Sequence, residues 1–166
     1  MCGRYVRKTP LQKLARLLGA FNALPELRAS YNIAPTQPLL IARIGADGRR
    51  ELALVRWSWV PHWAKSVEGT GPVTINARSE TVDEKPAFRD AFKYRRCVVP
   101  ADGFYEWDRS TQPRQPYYFH LAQQQPMWLA GLWEHWQDAH GNELETGVIL
   151  TSRGHGNGWR KFHHRM

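Results

Sequence analysis

The second residue of the chain carries the most distinctive chemistry in the sequence. In "MCGRY", removal of Met1 would leave Cys2 with a free α-amine and a thiol on adjacent carbons. A neutral amine attacks an aldehyde to give an imine, and the thiol can then close a thiazolidine ring with the advantage of an intramolecular reaction. The same amine could instead act as the base for the thiol, as in N-terminal-nucleophile amidohydrolases. The alternative without chemistry is a small apolar residue that begins a buried strand.

Three other polar residues could assist such a nucleophile. In "INARSE", Asn76 and Arg78 lie two apart, so an extended segment presents both on one side. The amide can orient a substrate or a terminal amine, and the guanidinium can hold a phosphate. Glu106 lies between Tyr105 and Trp107, surroundings that can raise a carboxyl pKa towards acid–base use. The alternatives are a turn asparagine, a solvated arginine and an exposed glutamate on an alternating strand.

The remaining candidate ligands do not form a metal site. The sequence contains no Cys-x-x-Cys pair and no His-Glu-x-x-His motif, and His163 and His164 are adjacent, so a helix would point them apart. Cys97 lies in the apolar run "RRCVVP" and is expected to be a small buried hydrophobe. No metal or other cofactor is therefore expected.

Composition indicates an anionic partner. The formal net charge is +8, which attracts nucleic acid or an anionic membrane surface, and eight tryptophans could supply stacking platforms. No apolar run approaches the roughly 20 residues of a membrane span, and neither a signal peptide nor a basic amphipathic helix is evident. We expect an intracellular, cytoplasmic protein without membrane binding, associated with the nucleoid in a bacterium.

Two short helices are predicted to accompany the functional residues. "TPLQKLARLLGAF" has Thr9 as a candidate N-cap, Gln12 to complete a capping box and Gly19 near the stop. "KPAFRDAFKYR", residues 85–95, is predicted as a second helix.

Strands in adjacent hairpins make up most of the rest. "GADGRR" contains the Asp-Gly signal of a turn between two strands, and "DAHGNE" separates another pair. The predicted strands cover residues 38–44, 51–60, 97–107, 116–122, 126–136 and 145–152. This order favours an antiparallel α+β domain over alternating βαβ units.

Six blocks and a closing motif resemble a known family. They are "MCGRY", "YNIAPTQ" (31–37), "RWSWVPHWAK" (56–65), "INARSET" (75–81), "RRCVVPADGFYEW" (95–107), "ILT" (149–151) and the closing "HHRM". In this order they resemble the SRAP family, the SOS response-associated peptidase or abasic-site processing proteins. The match covers nearly the whole chain, and the ordered set is highly specific.

The resemblance implies a single α+β domain over residues 1–166, with a predominantly antiparallel, barrel-like sheet and few helices. It also implies recognition of abasic sites in single-stranded DNA and a covalent link through Cys2 after loss of Met1. Asn76 matches the residue that positions the sugar and the cysteine amine, Glu106 the acid–base carboxylate, and His163 the active-site histidine.

DNA contacts are also implied by the resemblance. Arg4, Arg78 and Arg165 resemble the residues that grip DNA phosphates. Trp63 resembles an aromatic that supports bases beside the lesion, and Thr151 is expected to line the site. Abasic single-stranded DNA is thus the expected partner of a monomer, and the sequence identifies no replication-fork protein.

Two further expectations concern the chain end and the reaction. Family members continue past the last motif with a proline, a strand and a helix, which this sequence is expected to lack. The alternatives to crosslinking are a cysteine peptidase, including self-removal of Met1, and a DNA-binding module with no covalent step.

Overall fold

The computed structural model describes residues 3–67, 73–154, 162 and 165. Strands dominate this part of the chain, with two short helices between them. The elements are β1 Tyr5–Arg7, α1 Leu11–Leu18, β2 Ser30–Ile33, β3 Pro38–Ile44, β4 Arg50–Trp57, β5 Asn76–Arg78, α2 Arg89–Tyr94, β6 Arg96–Ala101, β7 Gly103–Trp107, β8 Pro116–Phe119, β9 Met127–Gln137 and β10 Glu143–Thr151.

Five strands close into a barrel. The order is β4-β3-β6-β9-β10, with β5 beyond β10 and an additional pairing of β10 with β4. The predicted hairpins β3–β4 and β9–β10 are antiparallel, which confirms the barrel-like α+β architecture. The pairings of β10 with β4 and β5 are parallel, so the sheet is mixed. Local alternation does not reveal such pairings, because the partners are distant in sequence.

A second, antiparallel sheet has the order β2-β1-β7-β8. Tyr5 of β1 contacts the barrel through Trp57. The two ring centroids lie 5.4 Å apart, in an edge-to-face arrangement. Residues 97–107, predicted as a strand, form two strands in different sheets. β6 belongs to the barrel and β7 to the second sheet, and the chain changes sheets at Asp102.

The buried carboxylate of Asp102 ties the end of β1 to this corner. It accepts hydrogen bonds from the backbone N–H groups of Lys8 (2.5 Å) and Thr9 (2.8 Å) and from the Thr9 hydroxyl (2.5 Å). The prediction of Thr9 as helix N-cap, with Gln12 completing a capping box, is therefore wrong. Pro10 occupies the cap position of α1 without a side-chain cap, because the charged acceptor of Asp102 takes the hydroxyl.

The barrel interior and the face of α1 form the apolar core. Leu11 and Leu14 of α1 pack on Leu40 and Leu52 of the barrel wall. Burial of such a side chain stabilises the fold by about 1.5–3 kcal/mol. Cys97 is buried, as predicted, within the cluster that fills the barrel.

Candidate functional site

A cavity of about 920 Å³ lies beside β5. We call it the Asn76 cavity. Its lining includes Trp59, Trp63, Lys65, Asn76, Arg78, Lys85 and Phe88. Aromatic and basic side chains therefore share one concave surface.

Strand β5 places two of the predicted residues in this cavity. Ala77 is buried against β10, and the residues on either side of it face the opposite way. Asn76 is half-buried and Arg78 is exposed, and both line the cavity, as their spacing predicts. The parallel register with β10 sets Ile149 beside Asn76 and Thr151 beside Arg78.

Residues 58–66, which we call the Trp63 loop, form another wall. The indole N–H of Trp59 donates to the carbonyl of Ala87 (2.9 Å), and its ring lies 5.1 Å from that of Phe88. At the far end, the indole N–H of Trp136 donates to the carbonyl of Ala64 (2.7 Å). Between these anchors the Trp63 side chain is 59% exposed, which leaves it available to stack on a ligand.

A buried ion-pair network holds the same loop to the barrel. Glu134 on β9 is 2% exposed. Its carboxylate lies 2.7 Å from Nε of Arg95, accepts a hydrogen bond from the Nη2 group of Arg95 (3.0 Å) and lies 3.1 Å from Nδ1 of His62. His62 directly precedes Trp63, so Glu134 helps to set the position of that indole. Sequence reasoning missed this network because nothing local links residues 62, 95 and 134.

The cavity has a positive electrostatic character. Lys65, Arg78 and Lys85 are exposed cations on its lining, and the described lining residues include no carboxylate. Sequence reasoning found Arg78 but missed both lysines, although each lies in or next to a quoted block. Such a surface can bind phosphates through its cations and unpaired bases through Trp63.

Thr151 and Arg165 lie beside the cavity, and their side chains are hydrogen-bonded to each other. Arg165 is 5% exposed, and its Nε donates to the Thr151 hydroxyl (3.1 Å). Its Nη2 group donates to Glu80 (2.6 Å) and to the Thr151 carbonyl. The Arg165 guanidinium holds the pKa of Glu80 at about 2. In this structure the Arg165 side chain is hydrogen-bonded to Thr151 of β10 and to Glu80, and a phosphate contact from it stays a prediction.

Arg4 and Glu106 belong to the second sheet. The Arg4 guanidinium donates to the side-chain oxygen of Asn32 (2.9 Å). The backbone carbonyl of Arg4 accepts a hydrogen bond from the backbone N–H of Tyr105 (2.9 Å). Glu106 lies on β7 directly after Tyr105 and is 6% exposed. The alternative of an exposed glutamate on an alternating strand is therefore wrong.

Two aromatic residues connect the second sheet with the Asn76 cavity. Tyr5 packs on Trp57, and the Trp57 indole N–H donates to the carbonyl of Ile75 (3.0 Å). Ile75 directly precedes Asn76, and Tyr5 lies three residues after Cys2 in the chain. Tyr5 of the second sheet is therefore linked through Trp57 to the residue that precedes Asn76.

Cys2 and His163 lie outside the described residues, so their predicted roles stay predictions. The other cysteine is unsuited to nucleophilic chemistry, because burial raises the pKa of the Cys97 thiol to about 12. Within residues 3–67 and 73–154, and at 162 and 165, no group of three or more His, Cys, Asp or Glu residues could hold a metal ion. The described helices are all too short and too polar to cross a membrane.

Comparison with known proteins agrees with this arrangement of motifs. The protein named abasic site processing protein YoqW, from Bacillus subtilis, is 38% identical over 157 residues, which cover 92% of this chain and 69% of that protein. Abasic site processing protein HMCES from Pongo abelii is 30% identical over 213 residues, covering 100% of this chain and 60% of that protein. A crystal structure of a protein from Bacteroides thetaiotaomicron superposes with a TM-score of 0.85 at 27% identity, covering 99% of this chain and 75% of that chain. The family model described as SOS response associated peptidase (SRAP) matches residues 1–166, and the chain therefore belongs to the SRAP family.

Proposed function

We propose that this protein recognises abasic sites in single-stranded DNA and links to them covalently through the Cys2 amine and thiol once Met1 is removed. The names of its relatives support processing of abasic sites. The structural observation that carries the proposal is the packing of Tyr5 on Trp57 together with the hydrogen bond from the Trp57 indole N–H to the Ile75 carbonyl. These contacts link Tyr5, three residues after Cys2 in the sequence, to β5, which lines a cavity that suits nucleic acid.

The reaction follows from the chemistry of a 1,2-aminothiol. An abasic sugar exists partly as a ring-opened aldehyde. An α-amine has a reference pKa of about 7.7–8.0, so part of it is neutral at pH 7 and can attack the aldehyde. Loss of one water gives the imine, and addition of the Cys2 thiol across the C=N bond forms the C–S bond of the thiazolidine. The thiol proton ends on the ring nitrogen, so the second step releases nothing.

Glu106 is suited by its position to move protons in this reaction. β1 and β7 are antiparallel, with Tyr5 opposite Phe104 and Val6 opposite Gly103. The same register, continued towards the start of the chain, brings Gly3 opposite Glu106. A carboxyl group there could donate a proton during sugar ring opening and accept one as the imine forms, with His163 as its predicted partner.

Binding of the DNA strand is assigned to the Asn76 cavity. The net charge of +8 attracts DNA phosphates whatever the base sequence. Arg78, Lys65 and Lys85 place part of that positive charge beside Asn76. The amide of Asn76 would orient the open sugar, and Trp63 would stack on a neighbouring base.

The test is formation of a covalent adduct on a single-stranded oligonucleotide with one abasic site. Wild type should give a band that survives denaturing electrophoresis, and Cys2→Ala should give none. Cys97→Ala is the matched control, because it removes a buried thiol and should crosslink like wild type. An adduct that persists in Cys2→Ala would contradict the proposal.

The alternative activities are distinguished by the same variants. A cysteine peptidase would turn over an amide bond and show no preference for abasic DNA. A non-covalent binding module would keep its affinity for abasic DNA in Cys2→Ala, with no adduct in either protein.

A further inference from the structure

A second cavity, of about 320 Å³, lies between β1, β2 and the segment that joins α1 to β2. We call it the Arg7 cavity. Its lining residues are Arg7, Leu27, Arg28, Ser30, Ile33, Gln37, Pro38 and Leu54, none of which lines the Asn76 cavity. The proposed crosslinking reaction does not use any of them.

Arg7 is a buried cation with few partners. It is 7% exposed, and its guanidinium donates to the carbonyl of Arg28 (3.0 Å). Among the residues that the structure describes, this is its single side-chain hydrogen bond, and none of their carboxylates forms an ion pair with it. A guanidinium has five N–H donors, and a buried charge is costly unless an opposite charge compensates it. Arg7 is thus poised to receive an anion.

The other polar residues of the cavity are donors as well. Arg28 supplies a second guanidinium and Ser30 a hydroxyl. The side-chain oxygen of Gln37 already accepts a hydrogen bond from the N–H of Ala34 (2.9 Å), which leaves its NH₂ group to donate. The described lining contains no aspartate or glutamate. Two cations and two neutral donors around one cavity match the several acceptor oxygens of a phosphate.

We propose that the Arg7 cavity binds a phosphate group. Arg7 is the buried anchor, Arg28 closes the site from its exposed side, and Ser30 and Gln37 satisfy the remaining oxygens. The phosphate comes either from solution, as a free ion, or from the backbone of a bound nucleic acid strand. With either source, the phosphate site is separate from the Asn76 cavity, because the two cavities share no lining residue.

Titration with inorganic phosphate tests the free-ion source. At constant ionic strength, with chloride as the replaced anion, phosphate should raise the Tm of wild type saturably. Arg28→Gln changes an exposed residue and should keep the fold while weakening phosphate binding about tenfold, the effect of losing a charged hydrogen bond. Arg7→Gln should abolish binding. Arg78→Gln, in the Asn76 cavity, should leave the phosphate effect intact, which separates this site from the proposed DNA site.

An intact single-stranded oligonucleotide tests the backbone source. If its phosphate enters the cavity, Arg28→Gln should weaken oligonucleotide binding and lower the slope of log K against log[salt] by about 0.7. If free phosphate is the ligand, Arg28→Gln should change the phosphate titration and leave oligonucleotide affinity unchanged. The proposal is overturned if Arg28→Gln matches wild type in both assays. That result would leave the proposal of crosslinking at Cys2 standing, because adduct formation tests it separately. The two proposals can therefore fail independently.

Discussion

Glu134→Gln tests whether the buried network behind the Trp63 loop stabilises the protein. The substitution keeps the shape of the side chain but removes the charge that faces Arg95 and His62. Removing one partner of a buried ion pair costs about 3–5 kcal/mol. The Arg95 side chain is 23% exposed, so water can solvate part of its charge, and we expect a loss of about 2–3 kcal/mol. For a chain of this length that corresponds to a fall in Tm of about 4–12 °C.

Urea and thermal unfolding of wild type and Glu134→Gln measure this loss. Glu143→Gln on the neighbouring strand is the matched control, because the Glu143 side chain is 61% exposed and its removal should change stability by less than about 0.5 kcal/mol. Since His62 precedes Trp63, Glu134→Gln should also weaken oligonucleotide binding at a temperature where the variant is fully folded. The reasoning is refuted if Glu134→Gln is as stable as Glu143→Gln.

Three further predictions concern single side chains. Trp63→Ala should weaken single-stranded DNA binding by about 1–3 kcal/mol, measured by fluorescence anisotropy, whereas Tyr94→Ala, which removes another exposed aromatic outside the cavity, should not. Arg78→Gln should lower the slope of log K against log[salt] by about 0.7, and an unchanged slope would exclude a phosphate contact. The pKa of Glu80 is lowered from 4.5 to about 2, so its pairing with Arg165 stabilises the fold above about pH 4.5 and is lost as the pH falls towards 2. Urea unfolding should therefore show a stability gap between wild type and Glu80→Gln that narrows over that range, and a constant gap would contradict the assignment.

Features determined by residues that are close together in the sequence were predictable. The Asp-Gly turn between β3 and β4 and the helix α1 are present as predicted, because turn chemistry and helical periodicity act over few residues. The shared face of Asn76 and Arg78 follows from the same kind of rule.

Features that depend on distant partners were not predictable. Thr9 looks like a helix cap until the fold brings Asp102 to it from 93 residues away. Burial of Glu106 depends on the pairing of β7 with β1 and β8, which composition does not encode. Glu134 illustrates the same limit, since its alternating strand gives no sign that Arg95 and His62 meet its carboxylate.

The intact mass of the adduct on abasic single-stranded DNA tests the central claim most directly. Thiazolidine formation by the amine and thiol of Cys2 predicts the mass of the protein without Met1, plus the oligonucleotide, minus one water. An adduct that retains Met1 would contradict the account, because a blocked amine cannot form the imine. Absence of any adduct from protein shown to lack Met1 would contradict it equally.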